Sequence, residues 1–286
     1  VLEQDITGLN DIVIVGYGTA RKKDLTGSVA SVSLNDQEKT PVLGTEQLLQ
    51  GRASGVQVSQ NQSQPGAIFS VRIRGTNSIN SGSSPLFVVD GYAGASVGDI
   101  NPSDVLSIDI LKDASATAIY GSRGANGVVI ITTKRGSSRG AHITLDAYTG
   151  VQRVANKFNL MDAREFANYL NTLQTETNDL NNTNDPLPYS TADIAAMGKG
   201  TDWQDAIFHS APISNISLGI SGGDDDTKNY LSFNYFDQKG IIIGSDYRRG
   251  IIRYNLDQTI GKRFKIGASS QLAYSYQNQT TVNTSG

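Results

Sequence analysis

The stretch 101–136, "NPSDVLSIDILKDASATAIYGSRGANGVVIITTKRG", carries start and stop signals at close intervals. Asn101-Pro102-Ser103-Asp104 has the order of a helical turn: a capping amide, a proline in the first turn and an acid beside it. Val105–Leu111 reads as a strand, "DASATAIYG" as a short helix stopped by Gly121, and Val128–Lys134 as a second strand. Strand, short helix and strand within so few residues predict a compact α+β unit rather than a helical bundle.

The same alternation extends toward the N-terminus. Gly27–Ser33, Gly55–Ser59, Phe69–Arg74 and Leu86–Asp90 read as short strands, and Thr45 is placed to cap "TEQLLQG", which ends at Gly51. After Gly140 the strands lengthen. "YLSFNYF" sets Leu231, Phe233 and Tyr235 against Ser232 and Asn234. "IIRYNLD" sets Ile252, Tyr254 and Leu256 against Arg253, Asn255 and Asp257. "FKIGASSQLAYSY" sets Phe264, Ile266, Leu272, Tyr274 and Tyr276 against Lys265, Ser269, Gln271 and Ser275, and "AHITLDAY" and "ISNISLGIS" repeat the pattern more weakly. Strands of about ten residues have the length that crosses a bilayer when tilted, and aromatics near their ends suit an interfacial girdle. A soluble β-sandwich alternates in the same way, and on alternation alone it is the preferred reading.

Composition narrows the function classes. The 286 residues carry a net charge of −3 with a pI near 5.4, which argues against a nucleic-acid partner. There is no cysteine, and His142 and His209 are the only histidines, so thiolate chemistry is excluded and histidine-based catalysis or metal binding has little to work with. No apolar run approaches the ~20 residues of a membrane helix. No charged-then-apolar leader stands at Val1, so the expectation is a processed chain or a portion of a longer one.

The long connection from Ala155 to Ala211 predicts a helix over "MDAREFANYL" with Asp162 and Glu165 as a capping box, and a second over "TDWQDAIFHS". Between them Asp179 and Asp185 lack the spacing and closing glutamate of a calcium loop, which favours a solvated loop. Asp224-Asp225-Asp226 after Gly222-Gly223 reads as a tight turn.

One further stretch, "DIVIVGYGTARKK" at 11–23, meets the first two glycines of a dinucleotide fingerprint but has Arg21 at the third. No helical periodicity follows and no phosphate loop occurs elsewhere, so a nucleotide-dependent enzyme is not supported. The β-branched run Asp11–Val15 beside Gly16 and Gly18 instead suits an extended segment that adds itself as a strand to another protein's sheet.

These stretches together resemble a known family. "DIVIVGYGTARKKDLTGSVASV" resembles the TonB-box region that opens the plug of SusC/RagA-type TonB-dependent outer-membrane transporters. "LLQGRASGVQV", "VRIRGTNSINSGSSPLFVVDG" and the 101–136 block resemble successive plug elements, and "TDWQDAIFHSAPISNISLGISGG" and "NYLSFNYFDQKGII" resemble the first barrel strands. The resemblance overturns the sandwich preference. It implies an α+β plug followed by antiparallel transmembrane β-barrel strands: a TonB-box and linker segment over 1–25, a plug over 26–140 and first barrel strands over 141–286. About five strands cannot close a barrel of the 22-stranded class, so the rest is expected in a longer polypeptide, and "VLEQDITGL" resembles the tail of a preceding domain.

The resemblance implies a non-enzymatic protein of the outer membrane, with no cofactor and no metal, that imports oligosaccharides or peptides. Its implied partners are TonB with its inner-membrane motor, a SusD-like surface lipoprotein, and outer-membrane lipid. The alternative is a receptor or signalling component that binds without net transport. TonB would be held by Asp11, Ile12, Val13, Ile14, Val15 and Gly16. Arg72, Arg74, Asp90 and Arg123 would be plug charges that need partners in an enclosed setting. The polar loops 60–67 and 77–84, the second with Asn77, Ser78, Asn80, Ser81 and Ser83, would offer amides and hydroxyls to substrate.

Overall fold

A computed structural model describes residues 12–15, 18–21, 29–33, 42–60, 64–75, 82–138, 140–261 and 263–280. The plug sheet has the order β3-β8-β9-β6-β7, from strands Val29–Ser33 (β3), Leu86–Val89 (β6), Tyr92–Ala93 (β7), Val105–Leu111 (β8) and Val128–Thr133 (β9). β6 and β9 pair in parallel and the other neighbours antiparallel. "VVIITT" in β9 is nearly continuous in apolar character because both faces are covered. Val129 and Ile131 pack with Ile108 and Ile110 under Leu49, Val71, Ile73 and Ile100, while Val128 and Ile130 pack with Leu86, Val88 and Ala116 on the other side. A hairpin of Val56–Ser59 (β4) and Ser70–Ile73 (β5) lies over the first face.

The connections follow local chemistry. Asp90 and Gly91, at φ +48° and +90°, form the two-residue loop between β6 and β7, the left-handed geometry that an Asp-Gly pair adopts at hairpins. Asn101 caps its turn by accepting from the Ser103 N–H at 3.2 Å. Helix α1, Ala114–Thr117, continues as a 3-10 segment broken at Gly121, whose φ is +59°. Thr45 departs from expectation. It lies inside a 3-10 turn, Thr45–Leu49, behind Gly44, and its buried hydroxyl donates to the Ile100 carbonyl at 3.0 Å instead of capping.

Beyond the plug, five strands form one antiparallel sheet in sequence order: His142–Gln152 (β10), Ala211–Gly223 (β11), Thr227–Lys239 (β12), Asp246–Ile260 (β13) and Phe264–Asn278 (β14). The sheet is open, with β10 and β14 at its edges. Its packing is inverted relative to a sandwich. The buried residues on β11–β13 are largely polar, Asn215, Ser217, Ser232, Asn234, Gln238, Arg249, Arg253 and Asn255 among them. Phe233, Ile252 and Tyr254 are 40%, 44% and 41% exposed, and Leu272 and Tyr274 at least 70%. No second sheet covers the apolar face among the described residues. A face that is apolar outward and polar toward an enclosed plug is the arrangement of a lipid-facing barrel wall.

The connection at Asp224–Asp226 and the short one from β13 to β14 lie at one end of this sheet. In the first, Asp224 accepts from the N–H groups of Asp226 and Thr227 at 2.9 and 2.6 Å. The other end carries the long connection 153–210, with α2 over Ala163–Asn181, α3 over Thr191–Ala196 and α4 over Trp203–Ile207. Asp162 and Glu165 form the expected capping box. Asn178 binds the backbone of Asp185 through both its amide groups, so the acidic segment is folded onto the helix. Barrels of this kind have short periplasmic turns and longer outer loops, which orients the sheet.

The link from plug to wall runs close to β12. A Cβ on Gly136 would collide with the backbone N and O of Asn229. Gly136→Ala is expected to lower stability of the full-length protein by about 1–3 kcal/mol, as overpacking does, read as a lower thermal midpoint in detergent. An unchanged midpoint would mean that the link relaxes freely.

Candidate functional site: the seam between plug and wall

The inward side chains of β11–β14 hold the plug through a polar seam. Asp90 is its centre. Oδ1 accepts from the Thr133 N–H at 2.9 Å and Oδ2 from the Thr133 hydroxyl at 2.6 Å. The Arg253 guanidinium closes a buried ion pair with Oδ2, both side chains being 6% exposed. Arg253 Nη1 also donates to Gln271 Oε1 at 2.6 Å, and Gln271 Nε2 donates to the Asp99 carbonyl at 2.9 Å. The hairpin geometry of Asp90-Gly91 thus aims a carboxylate across the seam, and the period-2 pattern of β13 brings Arg253 to meet it.

Asp104 forms a second anchor. It accepts from the Tyr230 hydroxyl at 2.9 Å and the Ser232 hydroxyl at 2.7 Å. Burial pushes its carboxyl above the ordinary range, and the bonds from Ser232 and Tyr230 and the charges of Arg253 and Lys134 only partly counter this. Asn255 donates to the Lys134 carbonyl at 2.8 Å, Arg135 pairs with Asp257 at 2.7 Å, and Tyr148 donates to the Val42 carbonyl at 3.2 Å. The loop 64–67 is held as well: Gly66 N–H donates to Gln238 Oε1 at 3.1 Å and Gln277 Nε2 to the Pro65 carbonyl at 2.7 Å.

The other expected site residues are dispersed. Arg74, at φ +57°, pairs with Asp113 within the plug at its surface. Arg72 is half-buried on β5. Arg123 is exposed and lies against Gly94. Ile12–Val15 is an extended strand, β1, paired antiparallel with Gly18–Arg21 (β2). Asp11 and Gly16, and Asn77, Ser78, Asn80 and Ser81, lie outside the described residues. Ser83 is half-buried, beside a stretch pinned by Asn126 Nδ2 donating to the Gly82 carbonyl at 2.8 Å. Arg253, Asp104 and Tyr230 were not singled out from sequence. A lumen-side arginine in an alternating strand was the available signal.

Comparison with known proteins fits this geometry. The family model of the TonB-dependent Receptor Plug Domain matches residues 21–128. TonB-dependent receptor P3 of Formosa agariphila is 46% identical over 268 residues, covering 93% of this chain and 25% of that protein. TonB-dependent receptor SusC of Bacteroides thetaiotaomicron is 34% identical over 90% of this chain and 25% of its own length. The chain belongs to the SusC/RagA-type TonB-dependent receptors. The RagAB peptide importer in its open-open state superposes with a TM-score of 0.77 at 32% identity, over 94% of this chain and 33% of that one. The siderophore receptor PirA of Acinetobacter baumannii, at 16% identity and a TM-score of 0.56, shares the fold. This SusC/RagA-type chain spans about a quarter of the length of the curated relatives it matches. Within it, the five-stranded sheet is an arc of barrel wall and the seam is the contact between that wall and the plug.

Proposed function

We propose that the protein to which this chain belongs imports peptides or oligosaccharides across the outer membrane, driven through TonB, with a SusD-like lipoprotein at its outer mouth. The observation that carries the reading is the inverted sheet of a SusC/RagA-type chain: an apolar face outward, a polar face closed on a plug. A plug held by many polar contacts blocks the lumen at rest, and a mechanical pull from the periplasm could release part of it. The handle is 11–16. Strand addition to TonB supplies backbone hydrogen bonds along β1, whose partner among the described residues is β2 alone.

Val13→Pro in the full-length protein tests this. Proline removes a backbone donor and fixes φ, so uptake should fall to the level of cells lacking TonB while surface binding of substrate persists. Undiminished uptake would remove 11–16 as the handle. Binding with no TonB-dependent uptake in the unmodified protein would favour the receptor reading.

A further inference from the structure

A cavity of about 190 Å³ lies between the plug and strands β12–β14, toward the end of the sheet that carries the long connection. Three charged side chains face it, Glu46 and Asp99 from the plug and Arg249 from the wall; Glu46 and Arg249 are each 4% exposed. Arg249 donates to the Gly98 carbonyl and stacks 5.6 Å from the Phe236 ring centre, but its Nε has no partner. Among the described residues, the Glu46 carboxylate is stabilised by its own backbone N–H and, through space, by Arg249, with which it forms no ion pair. Buried charges left this way are costly unless something satisfies them. Neither group belongs to the Asp90 or the Asp104 anchor of the seam.

The chemistry of the lining selects an occupant. Asp99 joins Glu46, so two carboxylates face one guanidinium, and the amides of Gln64 and Gln277 complete the polar wall. The excess of acid calls for a cation, and Arg249 calls for an acceptor close to it. An α-ammonium and the first peptide carbonyl are that pair, joined through one Cα. A sugar offers hydroxyls but no charge for a buried carboxylate. We infer that this cavity binds the amino-terminal residue of a peptide, its ammonium at Glu46 and Asp99 and its first carbonyl oxygen at Arg249. The volume suits one residue, with the rest of the peptide leading toward the outer mouth. Burial holds the Glu46 carboxyl above the ordinary carboxylate range, a bias that an arriving ammonium reverses. The inference rests on the import reading and gives it a substrate class.

The test uses the purified full-length protein and three probes: a random tetrapeptide pool with free amino termini, the same pool N-acetylated, and a neutral glucose tetrasaccharide. Retained probe is measured by mass spectrometry after rapid gel filtration. The free-amine pool should be retained about tenfold more than the acetylated pool, or better, a difference of about 1.4 kcal/mol. Glu46→Gln should abolish that preference and Asp99→Asn reduce it. Equal retention of the two pools, no retention of either, or retention of the tetrasaccharide with displacement by it, would overturn the proposal. If Glu46→Gln fails to assemble, the contrast between pools on the unmodified protein still decides. The import reading fails separately, through Val13→Pro, since binding here needs no TonB.

Discussion

Asp90→Ala in the full-length protein should cost about 3–5 kcal/mol of stability at the seam, because it leaves the buried Arg253 guanidinium without its ion-pair partner. Arg253 would keep only its bond to Gln271, and its Nε already lacks a partner. Arg253→Met should cost less. The Asp90 carboxylate would retain the Thr133 N–H and hydroxyl at 2.9 and 2.6 Å, and the methionine stem would fill part of the space. The double variant should recover part of the loss, since neither charge then remains buried alone. The measurement is a double-mutant cycle on the thermal midpoint of the detergent-solubilised protein. Additive effects would mean that the two residues act independently and that the pair does not tie the plug to the wall. A further consequence follows under the import reading. A weakened tie should lower the force at which the plug yields, so Arg253→Met should raise passive leakage of a small solute in the absence of TonB.

The plug was legible because its elements are short and each is bounded by a residue with one physical role. Asn101 caps through the Ser103 N–H two residues on and Gly121 breaks a helix, whereas Asp90, which reads as the last residue of a strand, is the first residue of the turn. Thr45 shows where that ends. Its local sequence fits a cap, yet the hydroxyl is taken by the carbonyl of Ile100, which no local rule can reveal. The wall strands pose a different difficulty. Leu231, Phe233 and Tyr235 lie on one face whether the sheet sits in lipid or in a sandwich, since strand periodicity is two in both cases. Which face is buried depends on what the sheet packs against, and that was supplied by resemblance. For the same reason the polar side of β13 was readable while its partners were not. Arg253 meets Asp90 and Arg249 meets the cavity beside Glu46 only because the register of five strands and the seating of the plug fix which inward side chain faces which plug turn.

Asp104 ties the stability of the seam to pH. Its carboxyl is held above the ordinary value chiefly by burial. A carboxyl whose pKa is raised on folding stabilises the folded state fully below its unfolded pKa, near 3.8, and that contribution is lost as pH rises through the raised folded value. Asp104→Asn cannot ionise and keeps an acceptor for one of the two hydroxyls, while the Ser232 hydroxyl can turn to accept from the new amide. Its stability should therefore be flatter with pH, and the gap between the unmodified protein and Asp104→Asn should move in favour of Asn as pH rises from about 4 to 7. Asp104→Ala removes both acceptors. It leaves the buried Tyr230 and Ser232 hydroxyls unsatisfied, at about 1–3 kcal/mol each, and should be the more damaging change at every pH. Thermal midpoints of the three proteins across that range check this. A gap that moved the other way would place the raised carboxyl elsewhere and reduce Asp104 to an ordinary ionised acceptor. If the sign holds, the plug is seated on a carboxyl that two wall hydroxyls and two distant cations only partly stabilise. A partner that brings a positive charge near the seam would then strengthen it most at neutral pH.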